Sequence, residues 1–549
     1  MSARFNIKAA EPEAVACLQR ELHMPHFIAA TLVSRGIDTP EAANRFLTPS
    51  LDRDWRDPYI IPGLSEAADA LEAAIRRGDH ILVFGDFDLD GISATTVMTR
   101  GLREFGARVT PFIPRRFEEG YAITPAAIER LSQVKPDFLV TVDCGIACKA
   151  EVRLLQERGI EVAVTDHHEP SDLVPEGVPV ADPKRDPACP SAILAGVGVA
   201  LKMVQALGGR FGKPHLWRQY TDFATLGTIA DLMPMRDENR ALVADGLRRI
   251  NQAPRPCIAA LLDTSGASGK QVTATNLSFS IIPRLNAAGR MGDAQLALDL
   301  LLTDDFEQAN QQAQRLESVN DQRRAIEAEL SEIAKAQAAE TYKGQRALVV
   351  AGEGWHEGVK GIVASRLVNT YGVPCLLFTI DGDEARGSGR SVGQVNLFKA
   401  VESCSDLLLR FGGHEAAVGV TLPTEKLPEF ERRLCEYMDA LPEGAFHPLI
   451  TIDACVNLDE LTLRNVAQLD ALAPFGQEHP VPVYLARDVT LLHSRAVGAE
   501  RNHFLVLAFQ RAYHGGRHHV PLQRHRGAHE DRQRGQRRVR GADRRMEEP

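Results

Sequence analysis

Residues 81–91 are ILVFGDFDLDG, a short apolar run followed by three aspartates at alternate positions, Asp86, Asp88 and Asp90. A helical stretch follows at 92–106. A short apolar run of this kind is typical of a strand that is buried on both faces of a parallel sheet. Three carboxylates this close together repel one another unless cations neutralise them. The stretch therefore predicts a metal site at the end of a buried strand.

The pattern of an apolar run followed by a helical stretch repeats along the first half of the chain. Further runs are RVTPFIP (108–114), DFLVTVD (137–143) and EVAVTD (161–166). Strands that alternate with helices pair into parallel sheets. We therefore expect an α/β domain built on a parallel sheet.

More acidic and imidazole groups follow these runs. Asp143 ends one run, Asp166 with His167 and His168 ends the next, and Asp231 lies in TLGTIADLMP. We expect each group at the carboxyl end of a strand, where side chains from one sheet converge on a single crevice. Several carboxylates with one or two imidazoles suit Mn²⁺ or Mg²⁺ better than structural zinc. The oxygens suffice for two ions, with Asp143 as the bridge, and two such ions support phosphoester hydrolysis.

Calcium is the main alternative, because D-x-D-x-D-G also opens an EF-hand loop. That loop needs a bidentate Glu at its twelfth position and a helix before it. Here the twelfth position is Val97, and an apolar strand comes before the aspartates. Both features exclude an EF-hand.

The second half of the chain has a different organisation. Residues 306–340 contain neither Gly nor Pro and are rich in strong helix formers, so we expect one long connecting helix. ALVVAG (347–352) and PCLLFTI (374–380) predict strands of a second α/β unit, and residues 448–510 predict a small β-rich domain. GVGVA (196–200) lacks the full dinucleotide-binding spacing and is interpreted as a loop or helix end.

Composition indicates an ordinary globular protein of two to four domains, with 549 residues, 44% of them hydrophobic and 25% charged. The chain has neither an apolar run long enough for a bilayer nor the apolar core of a signal peptide, so we expect a cytoplasmic protein. The net charge of −10 has the wrong sign for a protein that coats nucleic acid. A nucleic-acid substrate would need a local basic groove together with metals.

The tail from residue 511 changes character. Residues 511–549 hold 11 Arg, no Lys and 5 acidic residues, with almost no apolar periodicity. Two interpretations remain open: a disordered basic arm that contacts phosphates, or a shifted reading frame that replaces the natural end of the β-rich domain.

A set of motifs carries a family resemblance. GDFDLDG, LVTVDCG, VTDHHEP, ADPKR, LGTIADLMP and PRLNAAGRM appear in the order found in the DHH phosphoesterase superfamily. Within it the chain resembles the RecJ family of bacterial 5′→3′ exonucleases specific for single strands, over roughly residues 60–510. The later blocks GVKGIVASR, GSGRSV and RFGGHEAAVG resemble the second, DHH-associated domain.

The resemblance implies an α/β fold in which a parallel-sheet DHH domain and a DHH-associated α/β domain are joined by the long helix, with an oligonucleotide-binding (OB-like) β domain. The expected segments are an N-terminal extension (1–55), the DHH domain (56–300), the connecting helix (301–345), the DHH-associated domain (346–442), the OB-like domain (443–510) and the atypical tail (511–549).

The resemblance also implies roles for the site residues. The metal ligands, for two Mn²⁺ or Mg²⁺ ions, would be Asp88, Asp90, Asp143, His167 and Asp231. Asp86 and Asp166 would act as further ligands or orient waters and imidazoles, and His168 would stabilise the scissile phosphate or donate a proton. The substrate-binding residues would be Arg116 (with Arg115 as an alternative), Arg284, Arg290, Ser388, Arg390 and His414.

Three functions follow from these motifs. The first is a 5′→3′ exonuclease on single-stranded DNA in recombination and repair. The others are a phosphodiesterase for short oligoribonucleotides, cyclic dinucleotides or pyrophosphate, and a non-catalytic replication scaffold. The intact acidic positions argue against a scaffold, and the added β domain favours the exonuclease. A single-strand-binding protein and a helicase as partners, and a monomeric state, are expectations from the resemblance.

Overall fold

A computed structural model describes residues 4–497, 503–511 and 517–522. The chain divides into two compact units. Unit I consists of Arg45–Asp321 and Leu472–Val481. Unit II consists of the described parts of Met1–Asn44, Gln322–Ala471 and Pro482–Pro549.

The N-terminal segment supplies one strand and three helices, which are β1 (Arg4–Ile7), α1 (Pro12–Leu22), α2 (His26–Ser34) and α3 (Pro40–Leu47).

Unit I is built on a five-stranded sheet. Its strands are β2 (His80–Phe84), β3 (Arg108–Phe112), β4 (Phe138–Val142), β5 (Glu161–Thr165) and β6 (Val180–Ala181). They pair in parallel in the order β3-β2-β4-β5-β6, which confirms the predicted parallel sheet. The helices are α4 (Leu51–Asp54), α5 (Leu64–Arg77), α6 (Leu89–Glu104), α7 (Pro125–Ser132), α8 (Lys149–Glu157), α9 (Gly196–Arg210), α10 (Thr221–Ala230), α11 (Asp237–Gln252), α12 (Pro256–Thr264), α13 (Ala274–Asn276), α14 (Ile282–Arg290) and α15 (Ala294–Leu302).

Both faces of this sheet are covered, which explains why its strands are continuous apolar runs. Along β2, Ile81 and Val83 pack into one hydrophobic cluster, whereas Leu82 and Phe84 pack into another on the opposite face. Because every side chain of β2 is buried, polar groups occur only after the strand ends.

Helix α16 (Phe306–Thr341) confirms the predicted long helix, with 36 residues. The boundary between the two units falls within it, at residues 321 and 322.

Unit II contains a second five-stranded sheet. Its strands are β7 (Leu348–Glu353), β8 (Cys375–Asp381), β9 (Glu384–Arg390), β10 (Arg410–His414) and β11 (Ala417–Pro423). In the order β10-β11-β9-β8-β7, β7 and β8 are parallel and the other pairs are antiparallel. The helices are α17 (Lys360–Tyr371), α18 (Leu397–Glu402) and α19 (Leu427–Asp439).

The remainder of unit II is rich in strands, as predicted. Its elements are β12 (Leu449–Ile452), β13 (Ala454–Cys455), α20 (Leu463–Ala467), β14 (Tyr484–Leu485), β15 (Val489–Val497), β16 (His503–Arg511) and β17 (Arg517–Leu522). β12 pairs with β1, β13 pairs with β14, and β15, β16 and β17 form an antiparallel sheet.

The prediction of a disordered or frame-shifted tail lies largely outside the described residues. Within residues 511–549 the structure describes Arg511, where β16 ends, and the strand β17, which pairs with β16. Among the described residues, no helix is both long and apolar enough to cross a membrane.

Candidate metal centre

The three aspartates of the first motif occupy the turn between β2 and α6. Asp88 caps α6, since its Oδ1 accepts the backbone N–H groups of Asp90 and Gly91 at 2.9 and 3.1 Å. A Cβ on Gly91 would lie 2.6 Å from the backbone nitrogen of Asp86, so this turn requires glycine. Asp86 and Asp90 are buried, whereas Asp88 is exposed.

The carboxylate of Asp90 lies against the first turn of helix α9. Its two oxygens accept the N–H groups of Gly196 at 2.7 Å and Val197 at 3.0 Å. A helix N-terminus presents free N–H donors and a favourable dipole to an anion. The GVGVA segment is therefore a helix start that holds a site residue, a role that sequence reasoning missed.

Asp143 follows β4 with a φ of +61°, a conformation that non-glycine residues rarely adopt. Its Oδ1 lies 3.0 Å from Nε2 of His167. Helix α9 passes so close that a Cβ on Gly196 would lie 2.5 Å from that same oxygen. Gly196 thus leaves room for the Asp143 side chain while its N–H holds Asp90.

The prediction that Asp231 ends a strand is wrong. Asp231 is the C-terminal cap of helix α10, and its Oδ2 lies 3.7 Å from Nε2 of His167. The apolar residues before it are buried in a helix of 10 residues. A short apolar run is compatible with either a buried strand or a buried helix, so its pattern could not separate the two.

The predicted ligands come together in three overlapping groups, each with ligand atoms within 4.8 Å of one another. The groups are Asp86 with Asp88 and Asp143; Asp90 with His167 and Asp231; and Asp143 with His167 and His168.

These residues fit hard divalent cations. Carboxylates dominate the set and imidazole is the other donor, which suits Mn²⁺ or Mg²⁺. Oδ1 of Asp86 is buried and has no hydrogen-bond partner among the described residues. A buried carboxylate oxygen of this kind is costly unless a cation or water satisfies it.

The electrostatics of the cluster also favour cations. Burial, followed by the charges of neighbouring carboxylates, raises the pKa of Asp86, Asp90 and Asp143 well above the usual range. Burial and the charge of Asp88 raise the pKa of Asp231 to about 6. Bound cations would relieve this repulsion and keep the carboxylates ionised.

The two adjacent histidines have opposite properties. Burial and the charge of His168 lower the pKa of His167 to about 3, so its imidazole is neutral, the form that ligates metals. Burial acts to lower the pKa of His168, but the hydrogen bond to Asp166 and the charges of nearby aspartates together outweigh it and raise the pKa to about 9. Burial acts to raise the pKa of Asp166, but its hydrogen bonds from His168 and the Ile146 backbone, together with the charges of the two histidines, hold it below its usual value.

Tyr121 also belongs to this site, although sequence reasoning missed it. Its hydroxyl lies 3.4 Å from Nε2 of His168, and its ring packs edge-on against Phe87. The predicted phosphate ligand Arg116 stacks over the same Phe87 ring, 4.8 Å from its centroid. Arg116 also opposes the rise in the pKa of Asp86. The only sequence signal for Tyr121 is its place five residues after Arg116 in one glycine-containing loop.

Of the two arginines on α14, Arg284 already forms an ion pair with a carboxylate. It is buried and makes a bidentate ion pair with Glu317 on α16, with Nη2 3.1 Å from Oε1. Arg290 is the last residue of α14. Asn286 instead links this helix to the aspartate turn, because its Oδ1 accepts the N–H of Leu89 at 3.2 Å.

The other predicted substrate residues lie in unit II. On β9, Nη1 of Arg390 donates to Ser388 Oγ at 3.3 Å and to the Gly389 carbonyl at 2.8 Å. Arg390 pairs with Ala417, which in turn pairs with His414 on β10, so Arg390 and His414 share one row of the sheet. Strand pairing therefore brings these predicted residues close together.

Comparison with known proteins identifies three domains. Residues 80–228 match the DHH family N-terminal domain, residues 344–440 the DHHA1 domain and residues 452–513 the RecJ OB domain.

Relatives match over most of the chain. A Bacillus subtilis protein named single-stranded-DNA-specific exonuclease RecJ is 36% identical over 91% of this chain, and this chain spans 63% of its length. The Dickeya dadantii protein of the same name is 34% identical over 86% of this chain and 85% of its own length.

Solved structures agree. Crystal structures of RecJ from Thermus thermophilus in complex with Mn²⁺ and with Mg²⁺ match 94% of this chain, with TM-scores of 0.79 and 0.73 at 30% and 28% identity. The Mn²⁺ match covers 78% of that protein's chain. With its three matched domains and these relatives, the chain belongs to the RecJ family.

Proposed function

We propose that this chain is a metal-dependent exonuclease that hydrolyses single-stranded DNA from its 5′ end to nucleotides, in recombination and repair. The observation that carries the proposal is the convergence of five carboxylates and His167 on one edge of the sheet, within a RecJ-family chain. The match to a RecJ OB domain favours a strand of DNA over a cyclic dinucleotide.

Two divalent ions, Mn²⁺ or Mg²⁺, would supply an activated water and neutralise charge at phosphorus. Asp86, Asp88 and Asp143 would hold one ion, and Asp90, His167 and Asp231 the other. Asp143 would be the bridge, because it belongs to the first group and its Oδ1 lies 3.0 Å from His167 of the second.

His168 would act directly on the phosphate. Asp166 fixes its Nδ1 at 2.8 Å, and Nε2, which lies 3.4 Å from the Tyr121 hydroxyl, would donate a hydrogen bond to a phosphate oxygen or a proton to the leaving group. At neutral pH the ring carries a proton because its pKa is raised to about 9. Asp166 would orient this ring, and it meets the predicted role of orienting imidazoles better than that of a ligand, since its oxygens accept N–H groups of Ile146 and His167.

For substrate binding, Ser388, Arg390 and His414 would bind a terminal phosphate, and Arg116 and Arg290 would contact backbone phosphates. Arg284 is a weaker candidate because Glu317 already neutralises it. A DNA substrate would place the activity in the cytoplasm. We also propose a monomeric state and partnership with a single-strand-binding protein and a helicase, and these are supported by the family resemblance alone.

A nuclease assay tests the proposal. Single-stranded DNA, duplex DNA and RNA, each labelled at either end, are incubated with Mn²⁺, Mg²⁺ or chelator. We expect release of the 5′ label from single-stranded DNA first, only with metal. Cleavage of RNA in preference to DNA, or loss of the 3′ label first, would contradict the proposed substrate or polarity, and cleavage in chelator would contradict the metal centre.

A further inference from the structure

We propose that Asn239 is a positioning residue of the metal centre. It links the loop before helix α9, whose first N–H groups bind Asp90, to the loop that follows Asp231. This inference rests on the proposed metal site. Asn239 lies on helix α11 and is not among the proposed ligands.

The Asn239 side chain is fully buried and bridges two loops. Its Nδ2 donates to the carbonyl of Ile193 at 2.6 Å and to the carbonyl of Pro234 at 3.1 Å. Since both partners are acceptors, the amide nitrogen of Asn239, and not its oxygen, faces them. Removing it would leave buried acceptors without their donor, which costs more than the bond itself.

The first loop carries the donors that hold Asp90. Ile193 lies three residues before Gly196, whose N–H accompanies that of Val197 in binding the Asp90 carboxylate. A shift of Ile193 would move the start of helix α9, and with it these donors. Gly196 also limits the space around Asp143, so the same shift would reach a second proposed ligand.

The second loop carries Asp231. Pro234 lies three residues after it, and between them Leu232 has a φ of +56° and is 68% exposed. Packing of Leu232 therefore contributes little to the position of this loop. Met235 packs in the hydrophobic core, and two hydrogen bonds also hold the loop: the Asn239 side chain donates to the Pro234 carbonyl, and the N–H of Met235 donates to the Gln477 carbonyl at 2.8 Å.

The residues on either side of Asn239 fix the start of α11. Glu238 is buried and accepts from Nζ of Lys202 at 2.5 Å. Arg240 is buried and donates to the backbone carbonyls at 472–474, at 2.8 to 3.2 Å. Because both neighbours are anchored, Asn239 cannot follow a moving loop and acts as a fixed point between the two.

The same helix offers a matched control. Asn251 lies near the end of α11, and its Nδ2 donates to the carbonyls of Leu247 at 2.8 Å and Val272 at 2.9 Å. Like Asn239, Asn251 donates from Nδ2 to two backbone carbonyls, although it is half-buried and its Oδ1 also accepts the N–H of Val272 at 2.7 Å; neither of its acceptors adjoins a proposed ligand. Loss of Asn251 should therefore lower stability without affecting metal binding.

The experiment measures Mn²⁺ affinity by titration calorimetry on the full chain, with the free energy of unfolding in chelator measured in parallel. Asn239→Ala should weaken Mn²⁺ binding at one site by about 10- to 100-fold, the range typical of residues that orient metal ligands. Asn251→Ala should keep the wild-type affinity. If Asn239→Ala does not fold, Asn239→Leu, which is similar in size and also lacks the donor, replaces it with the same criterion.

Wild-type affinity in a folded Asn239 variant would overturn the inference, as would an equal loss of affinity in Asn251→Ala. Because Mn²⁺ binding is measured without DNA, the result does not depend on which substrate the enzyme hydrolyses. Absence of Mn²⁺ binding by the wild-type chain would instead contradict the proposed function itself.

Discussion

The carboxylate of Asp166 holds the ring of His168 with a hydrogen bond of 2.8 Å between Oδ1 and Nδ1. The same oxygen accepts the N–H of His167 at 2.7 Å, so one side chain organises both histidines of the motif. The two rings have different surroundings, because His167 is buried among the carboxylates of the metal centre whereas the His168 side chain is 45% exposed. One ring is thereby suited to ligation and the other to contact with an anion.

Removal of His168 should therefore separate catalysis from metal binding. His168→Ala is expected to lower kcat by about 100- to 10,000-fold, the usual contribution of a positioned acid or phosphate stabiliser, while Mn²⁺ affinity stays near that of the wild type. Single-turnover kinetics and calorimetry check the two quantities. A parallel loss of Mn²⁺ affinity would instead make His168 a ligand.

Asp143→Asn should abolish activity yet stabilise the metal-free protein. The loss of rate should exceed the roughly 10- to 100-fold effect of residues that only orient ligands. In chelator, the free energy of unfolding should rise, because burial and Asp90 raise the pKa of Asp143 and oppose its charge. Asparagine tolerates the φ of +61°, so the backbone is kept. Urea unfolding in chelator and in Mn²⁺ tests this, and a destabilised metal-free variant would contradict it.

The sequence sufficed for the sheet because each strand carries its own local pattern. The run at 81–84 is buried on both faces of a parallel sheet, and this leaves a continuous apolar signature that needs no knowledge of its partners. Asp86, Asp143 and Asp166 then follow strand ends, so topology alone brings them together.

Tertiary contacts could not be predicted in this way. Asp231 reaches the cluster from a helix, and Gly196 is essential only because α9 passes over Asp143. An arginine such as Arg284 is a common phosphate ligand, but its ion pair with Glu317 depends on how the helices pack. Such pairings between distant segments leave no periodic signal in a single sequence.

Gly196→Ala should impair the metal centre, whereas Gly209→Ala on the same helix should not. A Cβ at Gly196 would press on Asp143, but a Cβ at Gly209 would meet no atom within 4 Å. Alanine within a helix is favoured over glycine by about 1 kcal/mol, so Gly209→Ala should be neutral or slightly stabilising. Mn²⁺ titration of nuclease activity compares the two. Equal activity of both variants would refute the close contact of α9 with Asp143.

Asp182 should make stability depend on pH. Burial raises its pKa to about 7, so the folded state keeps a proton that the unfolded state releases near pH 4. The folded state thus binds more protons between these values, and the free energy of unfolding falls as pH rises toward 7. Asp182→Asn removes this fall and keeps the acceptor for the N–H of Lys184. Its stability relative to the wild type should increase by about 2–3 kcal/mol from pH 5 to pH 8. Urea unfolding in chelator at both pH values tests this, and a constant difference would contradict it.

Arg390 should determine the preference for a phosphorylated 5′ end. Burial lowers its pKa, and among the described residues no carboxylate forms an ion pair with it, so its charge is left for a ligand. Arg386 on the same strand is the matched control, since it is exposed and paired with Asp381 at 2.7 Å. A charge-assisted hydrogen bond contributes about 1.5–3 kcal/mol, so Arg390→Ala should raise KM for 5′-phosphorylated strands by about 10- to 100-fold. KM for 5′-hydroxyl strands, and both values in Arg386→Ala, should change little. An equal rise in KM for both kinds of strand would contradict a contact with the terminal phosphate, because such a contact exists only in the phosphorylated strand. It would show instead that Arg390 acts on the rest of the strand or on the fold.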